Sequence, residues 1–279
     1  MSDACSSCSS ASTCTTGSCP SKPEKTKAQE ASNIKSVIAI MSGKGGVGKS
    51  SVTSMLAVSL MRKGYKVGIL DADITGPSIP KIFGLKGKAD INETGVVPVE
   101  SQHGIKVMSL NLMLPNEDEP VIWRSSIISQ MVRQFWTDVI WGELDFLLVD
   151  LPPGTGDVPI TVMQSLPVSG IVIVTSPQQL AGMIVRKAIK MVKKYDANIY
   201  GLIENMAYVS CPHCEDRIEI FGKPHGEEEA AKNEIPYLGQ LPIDPVLATV
   251  SDLGKIEDYE SENFKDIAQR LADSIKTTA

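Results

Sequence analysis

The stretch Met41-Ser-Gly-Lys-Gly-Gly-Val-Gly-Lys-Ser50 decides the fold. Gly43, Gly48, Lys49 and Ser50 satisfy the phosphate-loop spacing G-x-x-x-x-G-K-[ST], and a second lysine, Lys44, stands directly after the first glycine. The β-branched run Ser36-Val-Ile-Ala-Ile-Met41 before the loop reads as a strand. Behind it, Val52, Met55, Leu56 and Leu60 recur at helical spacing. Strand, glycine loop and helix are the context the motif requires. Gly43, Gly45, Gly46 and Gly48 allow the backbone N–H groups, those of Val47 and Ser51 included, to curl round an anion, and a helix starting near Lys49 adds its positive dipole end. Lys49 is then expected to reach the β- and γ-phosphates of a nucleotide and the Ser50 hydroxyl to ligate Mg²⁺.

Two further stretches supply acids for such a site. The strand-like Lys66-Val-Gly-Ile-Leu70 delivers Asp71-Ala-Asp73 to the carboxyl edge of a sheet, where ligands bind in open parallel α/β folds. Asp71 and Asp73 are placed to orient Mg²⁺ or an attacking water; either could instead cap the following turn. The apolar Leu144-Asp-Phe-Leu-Leu-Val-Asp150 reads as a buried strand ending in a Walker-B-type carboxylate. The Pro152-Pro-Gly-Thr-Gly156 loop behind it is suited to sensing a γ-phosphate.

Strand and helix signals then alternate: strand 170–174, helix 178–194, strand 199–203, helix 226–232, strand 236–240 and helices near 246–253 and 261–276. This predicts an α/β fold, a mostly parallel sheet with helices on both faces. Residues 95–99 and 105–109 read as a hairpin, and a helix is expected from Ser125 to Trp141. Its Ile128, Met131, Val132, Phe135 and Trp136 suit core or subunit contact better than a cofactor site.

The 279 residues, 42% of them hydrophobic, suffice for a sizeable core. With 27 basic and 33 acidic side chains the net charge is −6, which gives no general pull toward nucleic acid or anionic lipid. No run has membrane-spanning length, so the expectation is a cytoplasmic protein acting without membrane or nucleic acid. Six cysteines are placed unevenly: Cys5, Cys8, Cys14 and Cys19 crowd the first residues, and Cys211 and Cys214 form a C-x2-C pair. Residues 1–32 are too poor in apolar side chains to fold without a metal, and 33–279 form the expected ATPase domain. The four N-terminal thiolates could hold Zn²⁺ or an iron–sulfur cluster, or nothing. Cys211 and Cys214 provide only two ligands, so a metal there needs partners from His213, from the N-terminal cysteines or from a second subunit. Thioredoxin-like redox use is the rival reading.

Together, Gly43–Ser50, Asp71–Ser78 and Asp150–Asp157 resemble the deviant-Walker-A ATPases, the MinD/ParA-like superfamily. With Glu204-Asn-Met206 and Cys211-Pro-His-Cys214 added, the chain resembles the Mrp/ApbC-type iron–sulfur cluster carriers over about residues 33–255. That resemblance implies a homodimer in which Lys44 of one subunit contacts the partner's nucleotide, Asn205 on the adenine, and Cys211 and Cys214 of two subunits bridging a 4Fe-4S cluster destined for apo iron–sulfur proteins. It implies ATP and Mg²⁺ as cofactors and slow ATP hydrolysis, with Lys44, Lys49 and Asp73 in the catalytic set and Ser50, Asp73 and Asp150 on the magnesium. The N-terminal cysteines depart from the related scaffold pattern, since Cys19 lies downstream where an upstream cysteine is expected. Arg124-Ser-Ser126 stands where Arg-Gly-Pro is expected. A MinD- or ParA-type positioning ATPase and an ATP-driven electron donor are the competing functions. The first wants a basic amphipathic terminus or a cationic face. The second wants cluster cysteines inside residues 20–210, which contain none.

Overall fold

The computed structural model describes residues 26–278 apart from 75, 77, 115–124, 196 and 215. Cys5, Cys8, Cys14, Cys19 and Arg124 lie outside the described residues, whereas Ser125 and Ser126, which depart from the expected Arg-Gly-Pro, open the helix Ser125–Thr137.

Among the described residues, eight strands form the main sheet, in the order Tyr237–Gln240, Asn198–Glu204, Val168–Thr175, Asn33–Ser42, Glu143–Asp150, Val67–Asp71, Lys106–Ser109, Val99–Glu100. Every adjacent pair is parallel except the last, which adds a short antiparallel edge. The strand from the opening motif sits in the middle, so its loop emerges where neighbouring strands also end. Alternation along this strand divides the core. Ile38 and Ile40 face one hydrophobic layer with the helices Lys49–Arg62 and Glu262–Thr278, whereas Val37, Ala39 and Met41 face the other. Buried on both faces, the central strands read as continuous apolar runs, as a covered parallel sheet requires.

The predicted hairpin is corrected. Val99 and Glu100 do pair antiparallel with Val107 and Lys106, but Lys106–Ser109 continues as a parallel strand of the main sheet beside Val67–Asp71. Val96–Val97 pairs with Asp90–Ile91 instead. Pro98 lacks an N–H and divides the segment, and Val96 is held by Asp138 and Ile140 (Val96 N to Asp138 O 2.7 Å, Ile140 N to Val96 O 2.8 Å). The same contact ends the predicted helix early, at Thr137 rather than Trp141. Trp141 is fully buried, its indole N–H donating to the Phe135 carbonyl at 3.2 Å. Ile128, Val132 and Phe135 are core and Trp136 packs against them, as their spacing predicts.

Candidate functional site

The strand Asn33–Ser42 turns into the helix Lys49–Arg62 through glycines whose backbone no side chain would favour: Gly46 has φ +78° and Gly48 φ +74°. The loop is tied down at its start, Gly154 N donating to the Ser42 carbonyl at 2.8 Å and Ser42 Oγ to that of Lys44 at 3.1 Å. Gly48 also permits a close approach. A Cβ there would fall 2.4 Å from the Asn205 Nδ2, which donates to the Val47 carbonyl at 2.9 Å.

At the floor of the loop, three donors converge on one carboxylate. Lys49 Nζ lies 2.7 Å from Asp150 Oδ1, Ser50 Oγ donates to Oδ2 at 2.6 Å, and Thr53 Oγ1 donates to Oδ1 at 2.8 Å. Asp150 is fully buried and Lys49 nearly so. A charge in such a place requires this pairing. Thr53 was not singled out in the sequence, although it stands one helical turn beyond Lys49 on the same face.

The two acids of Asp71-Ala-Asp73 separate in role. Asp73 is half-buried and lines the cavity above the loop. Asp71 is buried beneath it, accepting from Asp73 N (3.2 Å), Ile79 N (3.4 Å) and Ser109 Oγ (3.3 Å). Burial, and then the neighbouring Asp150 carboxylate, push its pKa up to about 8 against the pull of Lys49. Lys44, the additional lysine, points to Gln178, its ammonium bonding the Gln178 amide oxygen at the cap of the helix Gln179–Lys194.

The cavity measures about 610 Å³. The phosphate loop from Lys44 to Ser51 forms one side, with Asp73, Pro153, Asn205 and Met206 close by. The far wall, which the sequence did not announce, is Pro242–Asp244 with Leu247, Ala248 and Ser251 of the helix Pro245–Asp252. Asp244 caps that helix by accepting from Val246 N at 2.8 Å, and the Tyr259 hydroxyl bonds its other oxygen. A phosphate chain against the glycines and a ring against the apolar wall would match this division. Ser50 and Asp150 offer the hard oxygens that a magnesium ion takes together with phosphate oxygens.

Cys211 and Cys214 sit elsewhere, at the tip of a two-stranded ribbon made by Val209–Ser210 and Arg217–Ile218. Both are free thiols, Cys211 half-buried and Cys214 exposed. Cys211 N donates to the Asp216 carbonyl at 2.9 Å and closes the knuckle. The His213 and Cys214 N–H groups and the Cys214 thiol lower the Cys211 pKa. No helix starts there. No group of three or more His, Cys, Asp or Glu side chains positioned for a metal occurs among the described residues.

A glycine-cradled loop at the centre of a parallel sheet, with lysine, serine and aspartate joined at its floor, defines a P-loop NTPase. A family model described as ParA, the NUBPL iron-transfer P-loop NTPases, matches residues 33–276, and the chain belongs to that family. It is 47% identical over 231 residues to an iron-sulfur cluster carrier protein of Clostridium perfringens, covering 80% of this chain and 81% of that one. A protein of the same description from Methanocaldococcus jannaschii is 44% identical over 242 residues, covering 85% and 83%. Among solved structures, a nucleotide-binding protein from Archaeoglobus fulgidus in complex with ADP is 48% identical and superposes with a TM-score of 0.75 over 83% of this chain and 91% of that one. The cell division ATPase MinD of Pyrococcus furiosus, at 23% identity and a TM-score of 0.62 over 88% of this chain and all of its own, shares the fold. Among the described residues no helix is long and apolar enough to cross a membrane.

Proposed function

We propose that this protein is an ATP-binding carrier that holds a 4Fe-4S cluster and delivers it to apo iron–sulfur proteins. Gly43 to Ser51 cradle the phosphates, with Lys49 on the β/γ end. Ser50, Asp73 and Asp150 serve the magnesium ion, and Asn205 meets the adenine beside the Pro242–Asp244 wall. Lys44 acts across a homodimer on the partner's nucleotide, as an arginine finger does, in a slow hydrolysis that sets the dimer's state. The protein works in the cytoplasm. Cys5, Cys8, Cys14 and Cys19, ahead of the helix Lys27–Glu30 that packs on the ATPase domain, take Zn²⁺ or a further cluster.

The observation that carries the reading is the cysteine ribbon: two free thiols per chain, presented at a tip, with no third ligand among the described residues. Two such ribbons related by a two-fold axis supply the four thiolates that a 4Fe-4S cluster needs. The names of the relatives support the cargo, and the cavity supports the nucleotide.

Anaerobic reconstitution with iron and sulfide tests it, with iron, sulfide and subunit counting on the parent and on Cys214→Ala. The parent is expected to gain about four iron atoms per dimer through this pair. The variant should lose them while binding nucleotide as before. Equal cluster content in the two proteins would sink the bridging arrangement.

A further inference from the structure

Between the phosphate loop and the cysteine ribbon runs one short segment, fastened at every step. Asn205 follows the strand Asn198–Glu204, and its N–H donates to the Thr175 carbonyl at 2.8 Å, which fixes its backbone to the sheet. Its side chain reaches the other way, to the Val47 carbonyl of the loop at 2.9 Å. Met206 comes next with φ 59°, a left-handed conformation that a methionine adopts only where its surroundings impose it. Its Cε would lie 3.3 Å from a Cβ on Gly48, so both residues press on the same loop glycine. Ala207 N then donates to the Leu241 carbonyl at 2.9 Å, and Ile243 N to that of Tyr208 at 2.7 Å, so the segment is bonded to the far wall of the cavity. The Arg217 guanidinium stacks 4.3 Å over the Tyr208 ring. Arg217 belongs to the return strand of the ribbon and pairs with Ser210, beside Cys211.

We propose that Asn205 and Met206 are positioning residues that transmit the state of the phosphate loop to the cysteine ribbon. The proposal rests on the carrier reading above and adds its means of regulation. Close packing leaves no slack. Gly48 has an amide nitrogen where a side chain would stand, so a loop that tightens on phosphates displaces Asn205 rather than sliding past it. The left-handed turn at Met206 passes that displacement along a segment already bonded to the cavity wall. Tyr208 and Arg217 deliver it to both strands of the ribbon. The ribbon's cysteines are thereby made to report whether the cavity is filled.

The test uses the full chain with ADP and Mg²⁺. Iodoacetamide labelling rates of Cys211 and Cys214 are read by peptide mass spectrometry, and ADP binding is measured by calorimetry on the same samples. In the parent, saturating ADP should change the ribbon labelling rate about fivefold or more, the usual scale of coupling between sites. Asn205→Ala removes the tie to Val47. Met206→Gly keeps the left-handed backbone and loses the side-chain contact. At ADP saturation both should show a rate ratio near one, with labelling at the N-terminal cysteines serving as the internal control. A parent ratio of one with ADP bound overturns the proposal, as does either variant keeping the parent's ratio. Iron reconstitution on the same proteins separates the two readings. A ribbon that responds to ADP yet holds no cluster would refute the carrier function and leave the coupling standing.

Discussion

Asp71 and Asp150 are register partners on adjacent parallel strands, and both carboxylates are buried. Parallel pairing brings both strand ends to the same edge, so the two acids meet under the phosphate loop. Asp150 receives Lys49, Ser50 and Thr53. Among the described residues, Asp71 receives only backbone N–H groups and the Ser109 hydroxyl at 3.2–3.4 Å. Burial, and then the Asp150 carboxylate beside it, make Asp71 a proton holder.

A pH dependence follows from that division. Asp71 keeps its proton in the folded chain until about pH 8 and releases it near the ordinary value of 3.8 when unfolded. Between these values the folded state binds more protons, so stability falls as pH rises, with a slope of up to about 1.4 kcal/mol per pH unit. Asp71→Asn imitates the protonated acid and should flatten this part of the profile, gaining most on the parent at pH 8 and little at pH 4. Urea midpoints at several pH values, without Mg²⁺, check it. A variant profile parallel to the parent's would show that Asp71 is not the proton holder.

Lys49→Met leaves the Asp150 carboxylate in the core without its cation. Removing one partner of a buried pair typically costs about 3–5 kcal/mol, most of it from the charge left behind. The double variant Lys49→Met/Asp150→Asn should recover most of that stability while remaining unable to bind nucleotide. Denaturant melts and ADP calorimetry on the same three proteins separate the fold from the function. Equal stability of the single and double variants would mean that the pair is not coupled.

Sequence carried the loop, the strand-end acids and the cysteine pair because each is a local signal: glycines at fixed spacing, an acid closing an apolar run, two cysteines three positions apart. Which of Asp71 and Asp73 goes under the sheet was not legible, because it depends on strand register and on Ser109, a residue far along the chain. Thr53, Gln178 and the Pro242–Ser251 wall were missed for the same reason. Their roles come from what the fold brings near the loop, and nothing in their own neighbourhoods marks them. The hairpin expectation failed on Pro98, whose missing N–H divides one apparent strand between two sheets.

Two glycines of the loop should respond differently to the same substitution. Both Gly46 and Gly48 are left-handed, so alanine at either is strained by about 1 kcal/mol or somewhat more. At Gly46 the new methyl meets nothing within 4 Å, whereas at Gly48 it meets the Asn205 amide at 2.4 Å. Gly48→Ala should therefore lose the Asn205 bond to Val47 as well, and weaken ADP binding at least about tenfold more than Gly46→Ala does. Calorimetric titration of both variants decides it, and similar losses would place the cost in the backbone alone.

The far wall of the cavity is held by a contact that touches no loop residue. The Tyr259 hydroxyl bonds the Asp244 carboxylate, whose other oxygen caps the helix that supplies Leu247, Ala248 and Ser251 to the cavity. Burial, then the bonded Asp244, push the Tyr259 pKa up, so the phenol stays a donor throughout the working pH range. Tyr259→Phe removes that donor and keeps the ring. It should cost about 1.5–3 kcal/mol in stability, the usual worth of a hydrogen bond to a charged group. Asp244 retains its bond from Val246 N, so the cap should persist and the helix should stay folded. With the carboxylate freed on one side, the wall loses its fixed angle and nucleotide affinity should fall a few-fold, while cluster content after reconstitution is unchanged. ADP titration alongside iron counting measures both quantities, and full affinity in the variant would mean that the wall is positioned by the helix packing alone.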